Sequence, residues 1–173
     1  MKPNRDRARA ASAAALTATA FAAAAVFFGG FCVAGESAAA DADSAGAAVF
    51  ANRCAVCHGP QAAGIPGTFP PLHEQVVAFA KIPEGRDYLV MVVTTGLMGN
   101  LKAGGVNYNG VMPAQSGLSE AEVAAVLNYL ASGLGKSESA AAALSANEVS
   151  EARARHPDRA AQSTRALRPA TDL

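Results

Sequence analysis

The 173-residue sequence has no tryptophan, and aromatic residues make up only 6% of it. Charge is sparse at 16%, with 14 basic residues against 14 acidic, and no basic stripe that could track a phosphate backbone. A nucleic-acid partner is thereby excluded. Cysteine occurs only at positions 32, 54 and 57. A disulfide between Cys54 and Cys57 would close a very short loop and gain little. Structural zinc takes about four protein ligands. Beyond the two paired cysteines there are only His58, His73 and His156, and no second paired cluster. The βαβ pattern that accompanies a thioredoxin-like Cys pair is missing, and so is any internal repeat.

What is present begins with an export signal. Lys2, Arg5, Arg7 and Arg9 form a basic start, and Ala10 to Phe31 is almost uncharged and apolar. Val33-Ala34-Gly35 fits a cleavage site of the A-x-A kind, with Ala38-Ala39-Ala40 as a second candidate. No twin-arginine pair precedes it, so export of the unfolded chain is expected. The alternative is an uncut anchor over 10–33, close to the roughly 20 residues a spanning helix needs, although Gly29-Gly30 interrupts it. Cys32 follows Phe31, where a lipid-attachment site wants a small residue. Loss of residues 1–35 leaves 10 basic and 13 acidic groups.

The expected organisation is an export signal over 1–35, a flexible leader over 36–43, a domain over 44–134 and an extension over 135–173. Ser44 is placed to cap a helix running towards Cys57, with Gly46, Phe50 and Cys54 on one face. Pro60 to Pro71 reads as a loop, Arg86 to Thr95 as a short helix, and Gly99 to Gly117 as a long loop containing Met112-Pro113. Ser119-Glu120-Ala121-Glu122 is a capping box ahead of Val123, Val126, Leu127 and Leu130. Ser145 to Glu148 repeats that box and opens a helix to about Arg155, which Pro157 stops. The last residues have few bulky apolar groups and are expected to be disordered.

The chemistry concentrates in Cys54-Ala55-Val56-Cys57-His58. Cys-x-x-Cys-His is the attachment signature of c-type haem. Residues three apart share a helix face, so both thiols can add across haem vinyl groups, and the adjacent imidazole can reach the iron. A covalently held haem would also add apolar mass to a small domain, which buries proportionately little surface by itself. A thioether on the other side of the iron favours the ferrous state. Met112 leads the candidates because Pro113 restricts its backbone. Met98, between glycines, and His73 remain open, as does a site without a sixth ligand. Met91 reads as core.

Phe50-x-x-x-Cys54-x-x-Cys57-His58, Phe69-Pro70-Pro71-Leu72, Tyr108-Asn109-Gly110-Val111-Met112-Pro113, Leu118-Ser119-x-x-Glu122 and Leu127-Asn128-Tyr129-Leu130 occur in that order. Together they resemble a bacterial class I cytochrome c over about 44–134. The resemblance implies an all-α fold, the small class I helical fold wrapped around one covalent haem c per chain, with its first and last helices crossing. Gly46 and Phe50 would meet the last helix near Leu127 or Tyr129. It also implies that a carbonyl of the Pro70-Pro71 loop holds the second nitrogen of His58. Tyr108 or Asn109 would reach a haem propionate or the Met112 sulfur.

The function so implied is single-electron transfer in the periplasm, without catalysis, with a dehydrogenase, reductase or terminal oxidase as redox partner. A membrane enters only if residues 10–33 are retained. The rival is an enzyme or gas sensor with an open iron site, for which His73 is the one distal candidate in the core region.

Overall fold

The computed structural model describes residues 35–136, 141–157 and 160–170. The expected export signal, up to residue 34, lies outside the described residues. The first described element, α1 (Gly35–Val49), runs through the stretch expected as a flexible leader. Alanine, the best helix former, dominates it. Ser44 therefore sits inside the helix, and its hydroxyl donates back to the Asp41 carbonyl at 2.8 Å instead of capping. A π-helical turn (Phe50–Cys54) follows, with the Ala55 N–H on the Phe50 carbonyl, then α2 (Ala55–His58). Such a turn inserts one residue into the helical register. Cys54 thus leaves the simple i, i+4 face expected from Gly46 and Phe50.

The loop after α2 leads to α3 (His73–Phe79), a helix not anticipated from the sequence, which buries Val76 and Phe79. Next is α4 (Pro83–Thr95). It starts three residues before the expected Arg86, because proline suits the first helical turn. The expected long loop is instead an antiparallel hairpin, β1 (Leu97–Ala103) and β2 (Val106–Met112). Its register runs from Leu97 opposite Met112 to Ala103 opposite Val106. The all-α expectation is corrected accordingly: the fold is helical with one small two-stranded sheet among the described residues. The turn residues Gly104 and Gly105 have φ of 54° and 76°, the positive values that a two-residue hairpin turn of the I′ kind needs.

Both capping boxes form. Ser119 heads α5 (Glu120–Ala131), accepting from the Glu122 N–H while Glu122 accepts from the Ser119 N–H. Ser145 and Glu148 do the same for α6 (Ala146–Arg155). The helices enclose a core that includes Phe50, Phe79, Val90, Val123, Val126 and Leu130. Helix α1 packs across α5, as the resemblance implied. Gly46 faces Ala125 and Tyr129, and the Phe50 and Tyr129 rings lie 5.9 Å apart.

The extension belongs to this core. Leu144, Val149 and Ala152 are buried. The Asn128 side chain clamps Leu144, donating to its carbonyl at 2.9 Å and accepting from its N–H at 2.7 Å. Arg86 donates to the Ala142 carbonyl and to Glu148, each at 2.6 Å. Further on, α7 (Ala161–Thr164) and a 3₁₀ turn (Arg165–Leu167) lie against the domain. Thr164 is buried, with its hydroxyl 2.7 Å from that of Thr95, and Arg165 donates to the Asn100 carbonyl at 3.1 Å. Residues 160–170 are held against the domain by these contacts. Hydrogen bonds to backbone carbonyls supply what their composition lacks in apolar groups. Among the described residues no helix is long and apolar enough to cross a membrane.

Candidate functional site

His58 closes α2 and is buried. The chain then folds back on it. The Gly64 N–H bonds to the His58 carbonyl at 2.8 Å, Ile65 pairs with Phe69, and the Leu72 N–H bonds to the Ala62 carbonyl at 2.9 Å. This tight loop sets the Pro70 carbonyl 2.8 Å from His58 Nδ1. A carbonyl only accepts, so the contact requires the proton on Nδ1 and leaves the lone pair on Nε2. Burial lowers the His58 pKa, and the Pro70 bond opposes it less strongly. The outcome is a neutral, oriented imidazole, the form that binds a metal.

Cys54 and Cys57 are free thiols. Burial, and secondarily the neighbouring Cys57, raises the Cys54 pKa. A cavity of about 370 Å³ opens beside them. Cys57, His58, Pro70, Pro71, Tyr108 and Met112 all line it. Cys54 is not in its wall; it is half-buried at the end of the π-helical turn and packs against the core. Apolar side chains, Val76, Phe79, Leu89, Val92, Leu97 and Leu101, supply much of the remaining lining.

Met112 ends β2, and Leu97 pairs with it across the hairpin. Just beyond, the Gln115 N–H bonds to the Val93 carbonyl on α4 at 2.8 Å. The methionine is thereby held on both sides in the chain. Met98 lies on β1 opposite Val111, and Met91 is buried on α4; neither lines the cavity. His73 opens α3 and also stays out of the wall. His156 Nε2 is 3.1 Å from Asp87 Oδ2, far along the chain from the thiols. Among the described residues no three His, Cys, Asp or Glu side chains gather to hold a metal ion by themselves.

Against known proteins, the cytochrome c family model matches residues 44–133. The chain belongs to the cytochrome c family. It is 43% identical over 105 residues to a cytochrome c-552 of Thermus thermophilus, covering 61% of this chain and 69% of that protein. A second Thermus thermophilus cytochrome c-552 is 43% identical over 90 residues, covering 52% of this chain and 68% of its own length. The chain is thus a class I c-type cytochrome, an electron-transfer haem protein and a carrier rather than an enzyme. The family's prosthetic group is covalent haem c. The cavity fits it: a mostly apolar wall, one imidazole nitrogen with its partner nitrogen already fixed, one thioether, and the free Cys57 thiol in the wall, with the free Cys54 thiol three residues before it in the chain.

Sequence reading missed part of this wall. Gln75 and Phe79 come from the unanticipated α3, and Arg168 comes from the tail beyond the family match. Val76 and Phe79, three apart, carry a weak helical signal. Arg168 carries none, because only the fold brings it to the cavity.

Proposed function

We propose that this protein shuttles single electrons in the periplasm through one haem c, with His58 and Met112 as its axial ligands. The observation that carries the reading is that His58 and Met112 line one cavity while Pro70 fixes the tautomer of His58. Haem c, when bound, supplies a one-electron ferric/ferrous couple. The chain does the rest. Cys54 and Cys57 tether the group through thioethers, so that it is retained outside the cytoplasm. His58 offers Nε2, oriented by its Pro70 bond. Met112 offers a neutral sulfur, which favours the reduced state. The apolar wall excludes water and raises the potential further. Tyr108, buried on β2, faces the same cavity as a polar contact for the group.

Val56, beside Cys57, and Val111, beside Met112, are 83% and 61% exposed. These apolar side chains flank the site and suit weak, small-area docking of a redox partner. The partner class is a periplasmic dehydrogenase, reductase or terminal oxidase. The export signal over 1–35 delivers the chain there.

The test is the visible spectrum of the protein matured with haem-attachment machinery, ferric and ferrous, beside Met112→Ala. A low-spin c-type spectrum with the weak far-red ferric band of a sulfur ligand, lost in the variant, is expected. A high-spin wild type that binds carbon monoxide readily would overturn the ligation and favour an enzyme or sensor.

A further inference from the structure

One corner of the cavity is polar, and the mechanism above does not use it. Gln75 on α3 and Arg168 in the tail both line the cavity. The Arg168 guanidinium lies 5.2 Å above the Phe79 ring. It donates to the Lys102 carbonyl at 2.9 Å and to Gln75 Oε1 at 3.3 and 3.4 Å. All of these partners are neutral. Among the described residues no carboxylate pairs with Arg168. Gln75 is only 8% exposed, and its Nε2 is buried without any hydrogen-bond partner.

Both facts call for the same missing chemistry. A buried amide N–H₂ left unpaired costs about 1–3 kcal/mol and is uncommon in native proteins. An arginine is always charged, and a cation facing an apolar cavity is costly unless an anion compensates it. Its forked donors match a carboxylate. Haem is apolar except for its two propionate carboxylates. We propose that Arg168 and Gln75 together bind one haem propionate, so that the C-terminal extension completes the haem site and sets its reduction potential. The inference rests on the haem reading above.

The physical consequence is directional. A fixed positive charge beside the group favours the ferrous over the ferric state, so its loss lowers the potential. Arg168 also holds the propionate ionised, which keeps the potential flat with pH. Without the arginine the carboxyl pKa rises, as it does for any carboxylate stripped of its cation in a low-dielectric site.

The experiment is potentiometric titration of the haem-loaded protein from pH 5 to pH 8, for wild type, Arg168→Leu and Arg168→Lys. For Arg168→Leu the ferric/ferrous equilibrium is expected to move about tenfold towards ferric, which is about 59 mV for one electron. Its potential should also rise as the pH falls through the newly raised carboxyl pKa. The lysine variant, with its charge kept, should hold most of the potential and the flat profile. Removal of a merely structural contact would lower the melting temperature without creating that titration. Arg168→Leu matching wild type in both potential and pH profile would overturn the proposal. Should Arg168→Leu fail to fold, Gln75→Glu replaces it. That variant sets a carboxylate against Arg168 in competition with the propionate, and an unchanged potential would again overturn the proposal. A wild type without covalently bound haem, visible as loss of the haem spectrum on denaturation and extraction, sinks the functional reading itself and this inference with it.

Discussion

Gly46 of α1 meets α5 so closely that a Cβ on it would lie 2.3 Å from the Ala125 carbonyl oxygen and 2.7 Å from the Tyr129 Cβ. Neither neighbour is the free end of a side chain, so neither can swing aside. Helix propensity and packing then make opposite predictions for Gly46→Ala. Propensity alone would stabilise α1 by about 1 kcal/mol. Overpacking costs about 1–3 kcal/mol, and here it should win. The variant is expected to melt several degrees below wild type, with Gly46→Val lower still. Thermal unfolding of the haem-loaded proteins checks this. An alanine variant as stable as wild type or more so would mean that the two helices can separate without loss.

The extension is tied to α4 by charge as well as by burial. Asp87 accepts from Arg155 at 2.6 and 3.0 Å and contacts His156 at 3.1 Å. The Arg155 hydrogen bond is the main cause of a lowered Asp87 pKa, with burial opposing it. A carboxyl whose pKa falls on folding stabilises the fold above its ordinary value of 3.8. That contribution drains away as pH falls from there through the lower folded value, because the unfolded chain takes up the proton first. The cluster is solvent-accessible, so screening keeps the effect within about 1 kcal/mol. Asp87→Asn should therefore lower the urea midpoint at pH 7, and the gap from wild type should close below pH 3.8. A gap that persists unchanged at pH 3 would assign the effect to something other than this ion pair.

Local signals carried much of this molecule, and long-range ones were invisible. Cys54, Cys57 and His58 announce their chemistry by spacing alone, and the two capping boxes place the starts of α5 and α6 because a cap is a contact within four residues. The Pro70 partner of His58 came from family resemblance, not from any rule of spacing. The π-helical turn at Phe50 left no mark in the sequence pattern. Arg168 could not have been placed either, because its partners at Gln75 and Lys102 lie at least 66 residues away in the chain. The tail's contacts are hidden for the same reason: composition counts apolar groups and does not see which carbonyls an arginine will find.

The hairpin does have a local signature. Gly104-Gly105 between two runs of seven residues is a two-residue turn signal, masked by the loop-like glycines Gly96, Gly99 and Gly110 around it. That turn now has a consequence for the site, because Met112 sits at the far end of the strand it launches. Both turn residues hold positive φ, where a side chain costs about 1–2 kcal/mol per residue. Gly104→Val/Gly105→Val should therefore strain or slip the register that sets Leu97 opposite Met112. The far-red sulfur-ligand band of the ferric protein should then be lost on heating at a temperature well below that for wild type. Covalent haem should remain, because Cys54 and Cys57 lie outside the hairpin. A band as heat-resistant as in wild type would show that the Gln115–Val93 bond beyond Met112, not the hairpin, holds the methionine in place.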